Sequence, residues 1–109
     1  MAVFPAAVVL NVSDSERARR FWTGALGYVA QEDAPDFLAP PSGEGARIHL
    51  DERDRMHLDV WVDRESSDLQ AEVERLVDLG ATRVDWEYPD DADFVVLADT
   101  EGNHFCVIG

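Results

Sequence analysis

Asp93-Phe94-Val95-Val96-Leu97-Ala98-Asp99-Thr100-Glu101-Gly102-Asn103-His104-Phe105-Cys106-Val107-Ile108-Gly109 is the stretch whose reading decides the fold. Two apolar runs flank Asp-Thr-Glu-Gly-Asn, which predicts two β-strands joined by a tight polar turn, with the glycine supplying positive φ without steric cost. The first half of the chain holds a faded copy. Asp36-Phe37 answers Asp93-Phe94, and Glu44-Gly45 answers Glu101-Gly102, at one common offset. At that offset Ile48 falls on Phe105, His49 on Cys106 and Leu50 on Val107.

The echo runs further back. Val8-Val9-Leu10-Asn11-Val12 corresponds to Leu58-Asp59-Val60-Trp61-Val62, and Ala25-Leu26-Gly27 to Asp78-Leu79-Gly80. The offset grows between landmarks, as short loop insertions would make it grow. Two copies are too few for a solenoid, which needs about three repeats to bury a core. A closed pseudo-two-fold domain is expected instead: one domain over 1–109, with module one at about 1–52 and module two at about 56–109. Glu52-Arg53-Asp54-Arg55 is the charged connector, inside the domain because neither half is long enough to bury a core alone.

Composition excludes several classes of function. The net charge is −14, from 23 acidic residues against nine arginines and no lysine. Phosphate backbones and anionic lipid repel such a surface, so neither nucleic acid nor a membrane is an expected partner. Without lysine there is no Schiff-base chemistry and no P-loop. A single cysteine makes no intrachain disulfide, and the first apolar run is broken by Pro5 without a basic segment before it. A cytoplasmic protein without signal peptide or span is expected.

Each half reads strand, helix, three strands. Val8–Val12 is a buried strand. Ser13-Asp14-Ser15-Glu16 is a capping box with Ser13 as the cap, and Ala18, Phe21, Trp22, Ala25 and Leu26 form the helix's apolar stripe, with Phe21 and Trp22 as core anchors. Gly27 closes the helix. Tyr28–Glu32 and a short or edge strand at Phe37-Leu38 follow, then Ala46–Asp51. In the second half Met56–Val62 is a strand, Ser66-Ser67-Asp68 starts a helix with a Ser67/Gln70 box, and Leu69, Val73, Leu76 and Val77 are its stripe. Gly80 ends it, Ala81–Tyr88 is a strand carrying Trp86, and the hairpin completes the chain.

Helices bury their stripes against the Leu/Val/Ile face of the strands, so the other face is the informative one. It carries Val9 and Asn11; Arg47, His49 and Asp51; His57, Asp59 and Trp61; and His104 and Cys106. Imidazole, carboxylate, thiol and indole collect there, which a purely structural face has little reason to do. Trp61 either stacks on a ligand or closes the sheet. Asp59 orients His57 or acts as a base, or it pairs with Arg47. His104 sits beside the turn, and Trp86 and Tyr28 are candidates for a rim.

Asn11-Val12-Ser13-Asp14, Phe21-Trp22 through Ala25-Leu26-Gly27, His57-Leu58-Asp59-Val60, Leu79-Gly80-Ala81 and Asp99-Thr100-Glu101-Gly102-Asn103 together resemble the vicinal oxygen chelate superfamily, the glyoxalase and bleomycin-resistance-like proteins. The likeness spans nearly the whole chain and is greatest to small bacterial glyoxalase-like domains. It implies an α+β fold, two βαβββ modules forming an eight-stranded U-shaped sheet around a cup, and commonly a homodimer. It also implies a divalent metal held by four side chains, a Lewis acid gripping two adjacent oxygens of a substrate. By position those ligands are Ala7, His49, His57 and Cys106. Ala7 cannot ligate, and both customary glutamates, one of them the usual general base, are replaced.

Two functions are therefore weighed. The preferred one is a diverged member holding a small organic molecule in the cup through Asn11, Arg47, His49, His57, Asp59, Trp61, His104 and Cys106, with no cofactor and no catalytic residue assigned. The alternative is a lyase, isomerase or dioxygenase-like enzyme using zinc, nickel, manganese or iron on His49, His57 and Cys106. Against the metal, a strand histidine is ordinarily a satisfied polar group and a free cysteine a small buried hydrophobe. A structural partner domain, its cup filled by its own side chains, is the third class.

Overall fold

The computed structural model describes residues 2–109. These form an α+β fold of eight strands and two helices: β1 (Val3–Asn11), α1 (Ser15–Leu26), β2 (Val29–Ala30), β3 (Phe37–Ala39), β4 (Arg47–Asp51), β5 (His57–Val62), α2 (Leu69–Asp78), β6 (Thr82–Arg83), β7 (Phe94–Ala98) and β8 (His104–Ile108). The strand-helix-three-strand pattern occurs twice. Contacts group the chain into two compact units, Ala7–Met56, and His57–Gly109 with the opening residues up to Ala6.

Both units use the same sheet order, β2-β3-β4-β1 in the first and β6-β7-β8-β5 in the second. In each, the first and last strands lie parallel and the others antiparallel. The register repeats as well. Val8 pairs with Ile48 and Leu58 with Phe105, which are the counterparts the sequence echo matches. β4 and β8 likewise begin and end on matched residues. A one-residue slip would turn every apolar side chain of a strand to the wrong face, so shared register means that the two halves bury the same side.

In the second unit that side is covered by α2. Val60, Val62, Leu97 and Val107 pack with Val73 of the helix, and Leu69, Leu76, Val77, Val95 and Phe105 close around them. Leu97 and Val107 are wholly buried, and such side chains contribute about 1.5–3 kcal/mol each. The helix starts at Asp68, whose side chain accepts the Ala71 N–H at 2.9 Å. Ser67, the predicted cap, instead donates to Glu72, because the longer-reaching carboxylate of Asp68 already fills the cap. Gly80 follows the helix at φ +121°, where a Cβ would lie 2.9 Å from the Thr100 methyl.

The first unit departs more from the sequence reading. Asp14, not Ser13, caps α1 by accepting the Arg17 N–H at 3.0 Å, while Ser13 Oγ accepts from the Arg17 guanidinium. Its carboxyl lies below the usual range chiefly because of that backbone N–H. Phe21 is not a core anchor: it is 63% exposed, and no residue of α1 is buried. Trp22 is half-buried, edge-on to Phe21 at 5.1 Å. Periodicity shows that a stripe exists; it does not show that anything covers it. Polar ties hold this helix instead, with Arg19 donating to the Pro35 carbonyl at 3.0 Å and to Asp36 at 3.2 Å. The unit's most buried side chains are Leu38 and Leu50 on one face of the sheet and Ala7 and Val9, the register partners of Arg47 and His49, on the other.

Two predicted strands shrink. Tyr28–Glu32 reduces to Val29–Ala30, which takes the edge, so β3 is short but flanked on both sides. Ala81–Tyr88 reduces to Thr82–Arg83, leaving Trp86 in an irregular segment. Beyond that point the Tyr88 hydroxyl accepts the Val96 N–H at 2.8 Å, so a side chain takes the ladder position that the strand vacates.

Candidate functional site

The face of the second unit turned away from α2 follows from register. Asp59 pairs with Cys106 and Cys106 with Val96; Trp61 pairs with Ile108 and Ile108 with Phe94. Paired residues share a face, so these are two rows across β5, β8 and β7. Two residues back along β5 and β8, and two forward along the antiparallel β7, lies the third row, His57, His104 and Ala98. Three chemically reactive groups therefore lie side by side on two hydrogen-bonded strands, where the backbone leaves them little freedom to separate.

Their contacts are close. His57 Nε2 lies 3.2 Å from Asp59 Oδ1, and the two side chains are 8% and 14% exposed. A ligating atom from each of His57, Asp59 and Cys106 lies within 4.8 Å of the others, the one such group among the described residues. Of the three roles open to Asp59, orienting the His57 imidazole is the one this spacing supports. A carboxylate so placed accepts the Nε2 proton and so selects the tautomer.

Aromatic rings flank the group. Trp61 is 37% exposed and meets Phe4 edge-on at 5.9 Å. Trp86 is 38% exposed and meets His104 edge-on at 6.5 Å, so His104 is held by an indole rather than left in solvent. Phe94, at the end of the Trp61 row, contacts Tyr88 at 5.4 Å. Phe94 and Tyr88 were missed by the sequence reading. The signal for Phe94 was present, because its counterpart in the echo is Phe37, on the chemical face of the first half. An open depression of about 340 Å³ lies at the β7 edge against Tyr88, Phe94 and Leu69, but it includes none of the three reactive groups.

The other expected site residues belong to the first unit. The His49 ring stacks on Phe37, centroids 4.0 Å apart and the planes nearly parallel at 8°, with the Arg47 guanidinium 5.4 Å from the centre of the same Phe37 ring. Asn11 donates to the Asp51 carbonyl at 3.4 Å at the exposed end of β1. Tyr28 donates its hydroxyl to the Ala46 carbonyl at 2.9 Å, which ties down the loop before β4.

The four positions that the resemblance assigns to a metal do not supply four ligands. Ala7 offers a methyl group, 1% exposed, and no donor atom. His49 supplies an imidazole, its ring stacked on Phe37. The residues present do not fit a four-ligand centre of that kind, and its glutamate base has no counterpart at Cys106.

Comparison with known proteins supports the same architecture. A methylmalonyl-CoA epimerase from Mycobacterium tuberculosis superposes with a TM-score of 0.63 at 22% identity, covering 95% of this chain and 85% of that one. An NAD-dependent benzaldehyde dehydrogenase structure from Legionella pneumophila superposes at 0.67 with 17% identity, covering 95% and 97%. At such identities the likeness is one of fold. No curated protein matches the sequence. The family model for the glyoxalase-like domain matches residues 7–108, nearly the full length. The chain belongs to the glyoxalase-like domain family.

Proposed function

We propose that this glyoxalase-like domain has diverged to hold a small organic molecule, without the four-ligand metal chemistry of its superfamily. The observation that carries this reading is a shielded polar centre, His57, Asp59 and Cys106, flanked by two partly exposed indoles, Trp61 and Trp86. Ligand sites are typically apolar surfaces with a few convergent polar groups, and that is the composition of this face. A polar group of a ligand would meet this centre while an indole covers its carbon skeleton. The loss of any donor at Ala7 and of both glutamates argues against the isomerase route.

A thermal-shift screen of small oxygen-bearing aromatic and aliphatic acids and ketones tests it. Ligands that raise the melting temperature of the native chain should lose the shift in Trp61→Ala and in His57→Ala. Hits that stabilise both variants as well as the native chain would contradict the reading.

The domain is further proposed to pair with a second copy in the cytoplasm. Support comes from the side chains of Phe21, Leu26 and Val29, 63%, 47% and 51% exposed on α1 and β2, and from the single cysteine. Sedimentation of Phe21→Ser against the native chain checks the pairing; a monomer in both would refute it.

A further inference from the structure

We propose that the open edge of β7 at Phe94 takes an extended basic peptide as an added strand. One apolar residue of the peptide pairs with Phe94 and puts its side chain into the adjoining depression. This goes beyond the ligand-binding reading of the β5–β8 face and does not rest on it.

Strand β7 outruns the segment that covers its edge. Backbone groups of an antiparallel strand point alternately to its two neighbours. The Asp93 carbonyl accepts the Gly109 N–H at 2.7 Å, so Asp93, Val95 and Leu97 face β8, while Phe94, Val96 and Ala98 face β6. Strand β6 pairs with Leu97 and Ala98, and the Val84 N–H then reaches the Val96 carbonyl at 3.4 Å. The Tyr88 hydroxyl accepts the Val96 N–H. Nothing among the described residues bonds the N–H or the carbonyl of Phe94. The start of β3 is different. Its first residue, Phe37, accepts the Gln31 N–H at 2.9 Å and donates to the Ala34 carbonyl at 2.9 Å. The first residue of β7 thus presents one donor and one acceptor side by side, which one residue of an added strand satisfies together.

The surroundings set the chemistry of the occupant. The depression of about 340 Å³ beside Phe94 is walled by Leu69, Val84, Tyr88 and Val95, with Arg83 as its one charged lining residue. Beyond it, the segment after β6 carries Asp85, Glu87, Asp90, Asp91 and Asp93, all exposed, and none of these side chains has a partner among the described residues. Five carboxylates against one guanidinium favour a peptide with lysine beside its apolar residue. The same charge disfavours a second copy of this chain. Pairing through β7 would set two such acidic segments together, in molecules of net charge −14.

The test is amide nitrogen–proton correlation spectroscopy of the full native chain at low salt, titrated with acetyl-Lys-Thr-Val-Thr-Lys-amide. Saturable shifts are expected at 83–84 and 92–95, with 57–61 unmoved, and exchange of the Phe94 amide proton should slow by about tenfold or more. The same peptide N-methylated at its valine loses the donor to the Phe94 carbonyl and should bind about tenfold more weakly. A methyl on the neighbouring threonine nitrogen, which points away from β7, controls for the conformational effect of methylation and should bind as the parent does. Acetyl-Glu-Thr-Val-Thr-Glu-amide should also bind about tenfold more weakly than the lysine peptide, and the gap should shrink at high salt. These comparisons alter the peptide and leave the protein's folding untouched. Absence of saturable shifts at 92–95 would overturn the proposal. So would equal binding of the two methylated peptides, or equal binding of the glutamate and lysine peptides. Shifts at 57–61 in place of 92–95 would put the peptide on the β5–β8 face and overturn it as well.

Discussion

Glu72 is the most informative side chain for testing how the second unit is held together. It is 4% exposed, the one buried charged residue among those described. Its Oε2 accepts from Ser67 Oγ at 2.8 Å, its Oε1 accepts from Arg75 Nε at 3.0 Å, and the Ala2 N–H also donates to it. Burial pushes its pKa up, but the Ser67 and Arg75 hydrogen bonds, the Arg75 charge and the Ala2 N–H together outweigh burial, so the net shift is downward from 4.5. Glu72→Gln keeps the shape and removes the charge. Ser67 can rotate to accept from the new amide, but Arg75 cannot, so the amide oxygen must face Arg75 and its bond falls from charge-assisted to neutral. Hydrogen bonds to charged groups contribute about 1.5–3 kcal/mol against about 0.5–1.5 for neutral ones. With Arg75 and the Ala2 N–H both losing a charged acceptor, the expected loss at pH 7 is about 2 kcal/mol, or about 8–16 °C in melting temperature for a domain of this size.

The pH dependence supplies the sharper test. A carboxylate with a depressed folded pKa stabilises the fold fully above its unfolded value, and that stability is lost as pH falls through the folded pKa. The stability difference between native chain and Glu72→Gln should therefore hold from pH 7 down to about 5 and narrow below 4.5. Urea unfolding at neutral pH and well below 4.5 measures it. A difference unchanged by acid, or absent at pH 7, would refute this account of Glu72.

Other consequences follow from particular contacts. Gly80→Ala places a Cβ 2.9 Å from the Thr100 methyl at φ +121°, so it should cost about 1–3 kcal/mol in thermal unfolding. Thr100→Ser in the same chain should recover only the steric part. Tyr88→Phe leaves the Val96 N–H without its acceptor and should cost about 1 kcal/mol, with faster hydrogen exchange at Val96. Asp99 accepts from the side chain and backbone of Asn103 and from the Glu101 N–H, which hold its pKa below 3.8. Its turn should therefore be protected from exchange at neutral pH and loosen as pH falls below that value, and Asp99→Ala should loosen it at every pH.

Much of this was legible in the sequence for a physical reason. The repeat fixed which strands are equivalent, and alternation then assigned faces, so Val60, Val62, Leu97 and Val107 could be placed under α2 and His57, Asp59 and Cys106 opposite. What escaped were features that periodicity does not encode. Phe21 sits on a helical stripe, yet nothing within its unit covers it. Strand β6 stops at Arg83, and the Tyr88 hydroxyl, not a backbone carbonyl, accepts the Val96 N–H; no local pattern predicts a side chain in a ladder. Both caps moved one residue toward aspartate because competition between adjacent cap residues is settled by geometry. His49 was grouped with His57 by strand face and by the family resemblance, while its stacking on Phe37 is a cross-strand contact visible only in the fold.

The central claim is that the face of β5 and β8 carrying His57, Asp59 and Cys106 holds a small organic molecule. Amide nitrogen–proton correlation spectra, recorded while a thermal-shift hit is titrated into uniformly labelled chain, test it most directly. The account predicts saturable shifts concentrated at 57–61 and 104–108, with the Trp61 and Trp86 indole signals moving and the α2 amides still. Shifts confined to α1 and β2, or to the edge depression at Tyr88 and Leu69, would contradict it.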